Sequence, residues 1–211
     1  MAAPTAFARL TVVIRAFIAV EISPTTIARI TAAIADIKPR LPAVRWVATG
    51  NFHLTLKFLG GIEARQTETI GDALELALTP FPRCTINAKG LGVFPGLRQP
   101  KVFWVGFIGD ELTELAKRVD AALLPVGFAG DPRGFTPHLT IGRWSQAERS
   151  PGNLKQELDH WREHDFGATK VGRVILFQSI LKPTGAVYSQ LKVIKLNDPS
   201  IVQEARNGFK S

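Results

Sequence analysis

The chain has 211 residues, of which 45% are hydrophobic and 21% are charged, with a formal net charge of +8 and a single cysteine. This length and composition allow a sizeable core and exclude a disordered or fibrous protein, and one cysteine excludes an internal disulfide bond. No uncharged apolar run is long enough to cross a bilayer, because Arg9 and Arg15 interrupt the apolar N-terminal stretch. We expect a monomer of the reducing cytoplasm that does not bind a membrane.

Seven segments have the composition and alternation of β-strands, namely residues 15–21, 52–58, 85–94, 101–108, 138–143, 172–181 and 187–196. Four segments between them carry apolar residues at helical spacing, namely residues 24–37, 64–78, 110–124 and 153–163. Ser23 and Pro24 are a favourable N-cap and first residue for the first of these helices. Helices that alternate with strands in this way predict an α+β fold.

A similar order of elements occurs twice along the chain, which indicates duplication of one α+β lobe. The first occurrence ends at residue 78 and consists of a strand, a helix, a histidine-containing strand and a second helix. A related order ends near residue 143. The period of about 85 residues is too long for a solenoid repeat. We expect an N-terminal tail at residues 1–14, a single two-lobed domain at 15–196 and a C-terminal tail at 197–211.

The positive charge is unevenly distributed along the sequence. Residues 38–62, 76–109 and 166–197 contain four, four and five lysines and arginines, respectively, and no Asp or Glu. Carboxylates concentrate instead in the helical segments, such as residues 63–75 and 110–120. If strands and helices occupy opposite sides of the fold, the strand side is positive and suits a polyanion. Charge alone does not separate this interpretation from cations that only solubilise exposed strand edges.

The phrase His-Leu-Thr occurs twice, at His53 and at His138, and these are two of only four histidines. Side chains alternate across a strand, so each copy presents an imidazole and a hydroxyl on one face. In the second copy this face carries His138 and Thr140, with Leu139 and Ile141 turned inward. In the first copy we predict His53, Thr55 and Lys57 on the polar face, and Phe52, Leu54, Leu56 and Phe58 on the buried face.

Two such strands in a pseudo-symmetric fold bring two imidazoles into one groove. Histidine can serve as an acid or a base near neutrality, and opening a cyclic phosphate with water requires one of each. Negative charge on the phosphate oxygens can be met by Thr55, Thr140 and Arg143. A single His-x-Thr is more often an ordinary strand face, whereas two copies in matching apolar frames indicate function.

The stretches "HLTLKFLG" and "PHLTIGR" resemble the paired motifs of the two-histidine (2H) phosphoesterases. They are most similar to the LigT-like RNA 2′,3′-cyclic phosphodiesterases, also called 2′-5′ RNA ligases. The stretches "RAFIAVEI", "GVFPGLRQPKVFWVGF" and "LFQSILKPTGAVYSQL" extend the resemblance over residues 14–196. The resemblance implies two pseudo-symmetric lobes around a central cleft that carries both motifs. Each lobe is expected to be a mainly antiparallel sheet with helices on its outer side.

The resemblance also implies hydrolysis of an RNA terminal 2′,3′-cyclic phosphate to a 2′-phosphomonoester, without a cofactor or a metal. The expected partners are RNA ends of this kind or cyclic nucleotides. His53 matches the donor of a proton to the leaving 3′ oxygen, and His138 matches the base that activates water. Thr55, Thr140 and Arg143 match phosphate-binding groups. The near-symmetry of the two copies gives no independent assignment of acid and base.

Two other functions and two other sites stay open at this stage. The function alternatives are a 2′-5′ RNA ligase acting on tRNA halves and a non-catalytic protein that binds RNA ends. His160 and His164 have metal-ligand spacing on a helix, although a solvated helix face explains them more simply. Trp46 and Trp144 flank the two motifs and either stack a base or fill the core.

Overall fold

The computed structural model describes residues 12–130, 132, 134–144, 152–183 and 185–198. Its described strands are β1 (Val13–Glu21), β2 (Arg45–Trp46), β3 (His53–Glu63), β4 (Cys84–Phe94), β5 (Val102–Ile108), β6 (His138–Arg143), β7 (Asp165–Val171), β8 (Arg173–Lys182) and β9 (Gly185–Lys195). Its described α-helices are α1 (Pro24–Ile37), α2 (Gln66–Leu78), α3 (Asp110–Leu123) and α4 (Leu154–Trp161), and two short 3-10 helices lie at Lys38–Arg40 and Thr49–Asn51. Most of both expected tails, residues 1–11 and 199–211, lies outside the described residues, so the domain limits stay a prediction.

The helices follow the apolar spacing of the sequence. Ser23 caps α1 by accepting a hydrogen bond from the backbone N–H of Thr26 at 3.2 Å, and Pro24 occupies the first turn. The apolar stripes of α1, α2 and α3 are buried, for example at Ile30, Leu74 and Leu115. None of the helices in the described part of the chain has the length and apolar character needed to span a bilayer.

The strands form two antiparallel sheets, and one histidine-containing strand belongs to each. The first sheet has the order β3-β1-β8-β9, and the second has the order β2-β6-β5-β4-β7. Helix α2 packs against β3 and β9 of the first sheet, while α1 and α4 pack against β7 and β4 of the second. This α+β arrangement of two lobes with outer helices confirms the predicted fold class.

The buried apolar side chains form one large cluster and one small one. The large cluster joins the helices to the inward faces of both sheets and includes Leu54 and Leu139 from the two motif strands. The small cluster lies on the opposite face of the first sheet and consists of Phe17, Ala19, Ile175 and Phe177, with Tyr188 packed against it. This second face is the one on which His53 lies, because Phe17 and His53 are 4.7 Å apart between ring centroids.

A β-bulge in β3 makes the predicted alternation of the first motif wrong beyond Leu56. Strand β1 pairs Ala19 with Thr55 and then Ile18 with Lys57, so Leu56 is an extra residue in β3. Alternation reverses after this residue. Lys57, predicted on the polar face, is 8% exposed and turned inward, and Phe58, predicted on the buried face, is 71% exposed.

Strands β2 and β7 were not predicted from the sequence, for two different reasons. Strand β2 has only two residues, which is too short for a recognisable alternation. In β7 a bulge at Phe166 interrupts the pairing with β4. The buried residues Phe166 and Thr169 are therefore three positions apart instead of two, and the alternation of a half-buried strand is lost.

Candidate active site

All five residues singled out from the sequence line one cleft of about 380 Å³. His53 and Thr55 come from β3 in the first sheet, and His138, Thr140 and Arg143 come from β6 in the second. The cleft therefore joins two strands that are far apart in the chain and that belong to different sheets. The other lining residues are Arg15, Ala16, Phe17, Val47, Asn51, Phe58, Gly60, Ser179, Leu181, Ala186 and Tyr188.

The second motif contains a bulge at the same position as the first, and this bulge turns Arg143 toward the cleft. Strand β5 pairs Trp104 with Thr140 and Phe103 with Gly142, so Ile141 is the extra residue. Arg143 lies five residues after His138, an odd number, so strict alternation would place it on the buried face. Bulges next to active sites commonly re-aim a side chain in this way. Arg143 and Phe58 occupy equivalent positions in the two motifs.

Gly142 is required at the inward position that follows this bulge. A Cβ atom at Gly142 would lie 2.5 Å from Cγ1 of Val44, well inside van der Waals contact. Any side chain here would push β6 away from the segment that precedes β2. The glycine in "HLTIGR" therefore lets the strand stay close to the core while Arg143 faces the cleft.

Each histidine is held by the same backbone contact. Nδ1 of His53 lies 2.7 Å from the carbonyl oxygen of Asn51, and Nδ1 of His138 lies 2.7 Å from that of Thr136. A carbonyl oxygen only accepts, so Nδ1 carries a proton and donates in both cases. Nε2 is then the nitrogen that gains or loses a proton. The two rings are thus fixed in one tautomer and can act as either acid or base at Nε2.

An aromatic ring also supports each imidazole edge to face. His53 meets Tyr188 with ring centroids 5.0 Å apart and planes at 88°, and His138 meets Phe94 at 5.0 Å and 86°. Two anchors, one polar and one aromatic, restrict the orientation of each ring. The pseudo-symmetry of the two lobes thus includes the surroundings of the histidines as well as the motifs.

Burial lowers the pKa of both histidines below the ordinary value of 6.5, against the opposing effect of the Nδ1 hydrogen bonds. The positive charge of Arg143 lowers the pKa of His138 further. Among the described residues, no charged group is a comparable cause of the shift at His53. The two sites are therefore alike in geometry but differ electrostatically, and His138 has the additional bias toward the neutral form.

The cleft is positive, as the distribution of charge in the sequence predicted for the strand side. Arg15 and Arg143 line it, and no Asp or Glu is among the described residues that do so. The carboxylate nearest in register to His53 is Glu21, its partner across β1 and β3. Glu21 is neutralised by Arg173, whose Nε donates to it at 2.7 Å. A phosphate group entering the cleft would thus meet cations without a competing carboxylate.

His160 and His164 do not form the helical pair that their spacing predicted. Helix α4 ends at Trp161, so His164 lies beyond it, next to β7. Glu163 is held by Nζ of Lys89 at 2.7 Å. Within the described ranges there is no group of three His, Cys, Asp or Glu residues that could hold a metal ion.

Trp46 and Trp144 pack with the core and lie outside the cleft. Each contacts Phe103 with ring centroids 5.6 Å apart, and neither lines the cleft. Trp144 is 4% exposed. The sequence left both possibilities open for these residues, and the structure decides in favour of packing.

Several cleft residues were not identified from the sequence. Arg15 comes from β1, and Ser179 and Tyr188 come from the β8–β9 hairpin, so only the order of strands in the sheet brings them to the cleft. Asn51 joins the first motif to this hairpin, because its Nδ2 donates to the carbonyl oxygen of Ala186 at 2.8 Å. The sequence held one indication that Tyr188 is special, because it is the single tyrosine of the chain.

Comparison with known proteins agrees with the fold and with the two motifs. The family model described as LigT-like phosphoesterase matches residues 20–104 and 107–188. An RNA 2′,3′-cyclic phosphodiesterase of Aquifex aeolicus is 36% identical over 149 residues, covering 69% of this chain and 78% of that protein. The protein of the same name from Archaeoglobus fulgidus is 31% identical over 183 residues, covering 86% of this chain and 99% of that one.

Solved structures show the same architecture. The structure of E. coli LigT complexed with 3′-AMP superposes with a TM-score of 0.71 at 25% identity, covering 88% of this chain and 99% of that one. A Thermus thermophilus protein superposes with a TM-score of 0.74 at 24% identity, with the same coverage. This comparison shows a similar fold. With the family model matched over both lobes and both motifs in one cleft, this chain belongs to the LigT-like phosphoesterase family.

Proposed function

We propose that the protein hydrolyses the terminal 2′,3′-cyclic phosphate of RNA to a 2′-phosphomonoester, using His53 and His138 as acid and base. The observation that carries this proposal is the matched pair of imidazoles. Both rings line one cleft, and both have Nδ1 bound to the backbone and Nε2 left for a substrate. A pair of this kind can take a proton from water and deliver one to a sugar oxygen without a metal.

In the proposed reaction, water attacks the phosphorus atom and the bond from phosphorus to the 3′ oxygen breaks. Nε2 of His138 accepts the proton of the attacking water, and Nε2 of His53 donates its proton to the leaving 3′ oxygen. The electrostatic difference between the two sites supports these roles. Arg143 lowers the pKa of His138 and so favours the neutral form that a base needs.

Thr55, Thr140 and Arg143 are proposed to bind the non-bridging phosphate oxygens. All three line the cleft, and each threonine lies two residues from its histidine on the same face of its strand. Hydroxyl and guanidinium donors stabilise the charge that develops on a phosphate during displacement. A carboxylate in the same place would repel that charge, and the described lining has none.

Relatives support the substrate class. Archaeal and bacterial relatives that cover most of this chain are named RNA 2′,3′-cyclic phosphodiesterase. E. coli LigT has been crystallised with 3′-AMP, a nucleoside monophosphate. We infer that the cleft of this chain also holds a nucleotide, that the protein acts as a monomer, and that its single cysteine suits the cytoplasm.

The test is to incubate the purified protein with a short RNA ending in a 2′,3′-cyclic phosphate and to identify the products by chromatography and mass spectrometry. We expect a 2′-phosphomonoester and no 3′-phosphomonoester. A longer RNA joined by a 2′-5′ linkage would identify a ligase instead. RNA that is bound but unchanged would identify a non-catalytic protein that binds RNA ends.

A further inference from the structure

The cleft floor extends well beyond the reacting phosphate along strand β1. On the cleft side, β1 presents Ala19, Phe17 and Arg15 in succession. Ala19 and Phe17 belong to the small apolar cluster on this face, whereas the alternating residues Ile18 and Ala16 belong to the large cluster on the other face. Ala19 lies beside Thr55 of the first motif. At a rise of about 3.3 Å per residue, Arg15 lies about 13 Å further along the strand. The floor therefore has three successive levels, and the phosphate-binding motif occupies only the first of them.

The middle level is aromatic. Phe17 pairs in register with Phe58 on one side and with Phe177 on the other, at centroid distances of 6.2 and 5.2 Å. Tyr188 meets Phe17 edge to face at 5.1 Å. Phe58 is 71% exposed because the bulge at Leu56 turns it outward. Phe58 thus offers an exposed aromatic ring beside the buried rings of Phe17 and Phe177. Such a ring suits the sugar and base of a nucleoside.

The third level carries a cation and a hydroxyl. Arg15 pairs in register with Ser179 of β8, and both line the cleft. Arg15 is exposed, and its side chain makes no ion pair or hydrogen bond with any residue in the described part of the chain. Gly60 lines the cleft here as well, and a Cβ at Gly60 would meet no atom within 4 Å. This level therefore has room for a ligand, and the guanidinium group of Arg15 is available to bind it.

We propose that this third level is a binding site for the phosphodiester on the 5′ side of the last nucleoside, held by Arg15 and Ser179. The inference rests on the proposed function and specifies its substrate class. A cyclic phosphate at the first level and a nucleoside over the aromatic level direct the next phosphate of the chain toward Arg15. The preferred substrate is then an RNA chain end of two or more nucleotides, in preference to a nucleoside 2′,3′-cyclic phosphate.

The test compares kcat/KM for two substrates, adenosine 2′,3′-cyclic monophosphate and the dinucleotide ApA ending in a 2′,3′-cyclic phosphate. The wild-type protein should prefer the dinucleotide, and Arg15→Gln should reduce this preference at least about tenfold, the effect of one charge-assisted contact to phosphate. Lys117→Gln is the control, because Lys117 is an exposed residue of α3 outside the cleft and its loss removes the same charge. That variant should keep the wild-type preference.

A second measurement changes the substrate instead of the protein, so the loss seen with the wild-type protein does not depend on whether a variant folds. Replacing the internucleotide phosphate of the dinucleotide by a neutral methylphosphonate should cost the wild-type protein the same factor as Arg15→Gln. The two changes together should cost no more than either alone. Equal losses on both original substrates, or an unchanged preference, would overturn the Arg15 site. Turnover of neither substrate by the wild-type protein would instead overturn the proposed function.

Discussion

His53 and His138 are held by the same contact in two different sheets, each donating from Nδ1 to the carbonyl oxygen two residues earlier at 2.7 Å. The anchoring residue is different in each case, but the donor–acceptor distance and the two-residue spacing are the same. This relationship fixes Nε2 as the working nitrogen of both rings.

Replacing either histidine by asparagine should lower kcat about 10²- to 10⁴-fold, because each imidazole supplies one of the two proton transfers. Asparagine keeps a polar side chain of similar size that cannot exchange a proton. RNA affinity, measured by fluorescence anisotropy with the 2′-phosphorylated product, should change only a few-fold. His160→Asn is the matched control and should keep full activity, since His160 lies on α4 outside the cleft. Loss of affinity with an unchanged kcat would contradict an acid–base role.

The pH profile of kcat/KM should be bell-shaped, with its maximum on the acid side of pH 6.5. Activity rises as the base becomes neutral and falls as the acid loses its proton, and burial lowers the pKa of both groups. Because Arg143 lowers the pKa of His138, Arg143→Gln should move the limb that belongs to His138 toward higher pH. The profile can be measured at constant ionic strength from about pH 4.5 to about pH 8.5. Activity that is independent of pH across this range would exclude a histidine pair.

Lys57→Ala should destabilise the protein more than Phe58→Ala, the reverse of what strand alternation predicts. The Lys57 side chain is 7% exposed, and its ammonium group contacts Asp120 and the carbonyl oxygen of Ala129. Leaving these acceptors without their donor should cost about 1–3 kcal/mol of unfolding free energy. Phe58 is largely exposed, so its loss should cost less than about 0.5 kcal/mol.

Urea unfolding followed by circular dichroism measures both changes on one scale. Lys57→Met is an informative third variant, because it keeps the apolar stem and loses only the ammonium group. It should be destabilised by nearly as much as Lys57→Ala. A larger cost for Phe58→Ala than for Lys57→Ala would show that Phe58 is buried and that the bulge is absent in solution.

The bulges show where prediction from the sequence stops. Local spacing was sufficient for the helix faces, for seven of the described strands, and for the pairing of an imidazole with a hydroxyl in each motif. A bulge depends on how a strand pairs with its neighbour, so nothing in "HLTLKF" distinguishes Phe58 as exposed and Lys57 as buried. Arg143 was assigned to the phosphate from its charge and its place beside the second motif, and again by resemblance, although strict alternation places it on the buried face.

The rest of the cleft depends on sheet order, which is a long-range property. Arg15 and Ser179 become neighbours only because β1 pairs with β8, across more than a hundred and fifty residues of sequence. Tyr188 reaches His53 through the β8–β9 hairpin in the same way. Periodicity in one strand can identify a polar face, but it does not identify which other strands share that face.

Activity should survive dialysis against EDTA. The proposed reaction needs one acid and one base, and two imidazoles supply both, so no metal-bound water is required. The measurement is the rate of hydrolysis before and after chelation, and again after adding back Mg²⁺, Mn²⁺ or Zn²⁺. Loss on chelation with recovery on addition of one metal would contradict the two-histidine reaction.

Asn51 should act as a positioning residue for His53. Its carbonyl oxygen accepts from His53 Nδ1, and its side chain donates to the carbonyl oxygen of Ala186 in the hairpin that carries Tyr188. Asn51→Ala keeps the backbone carbonyl but frees it from the hairpin. We expect kcat to fall about tenfold, equivalent to one hydrogen bond of about 1.4 kcal/mol, with little change in KM.

Asn51→Asp separates positioning from general damage to the fold. The aspartate is nearly isosteric, but it cannot donate to Ala186 and it places a negative charge beside His53. Its kcat should be no higher than that of Asn51→Ala, and the limb of the pH profile that belongs to His53 should move to higher pH, because a nearby anion favours imidazolium. A purely structural role would lower thermal stability in both variants and leave the position of that limb unchanged.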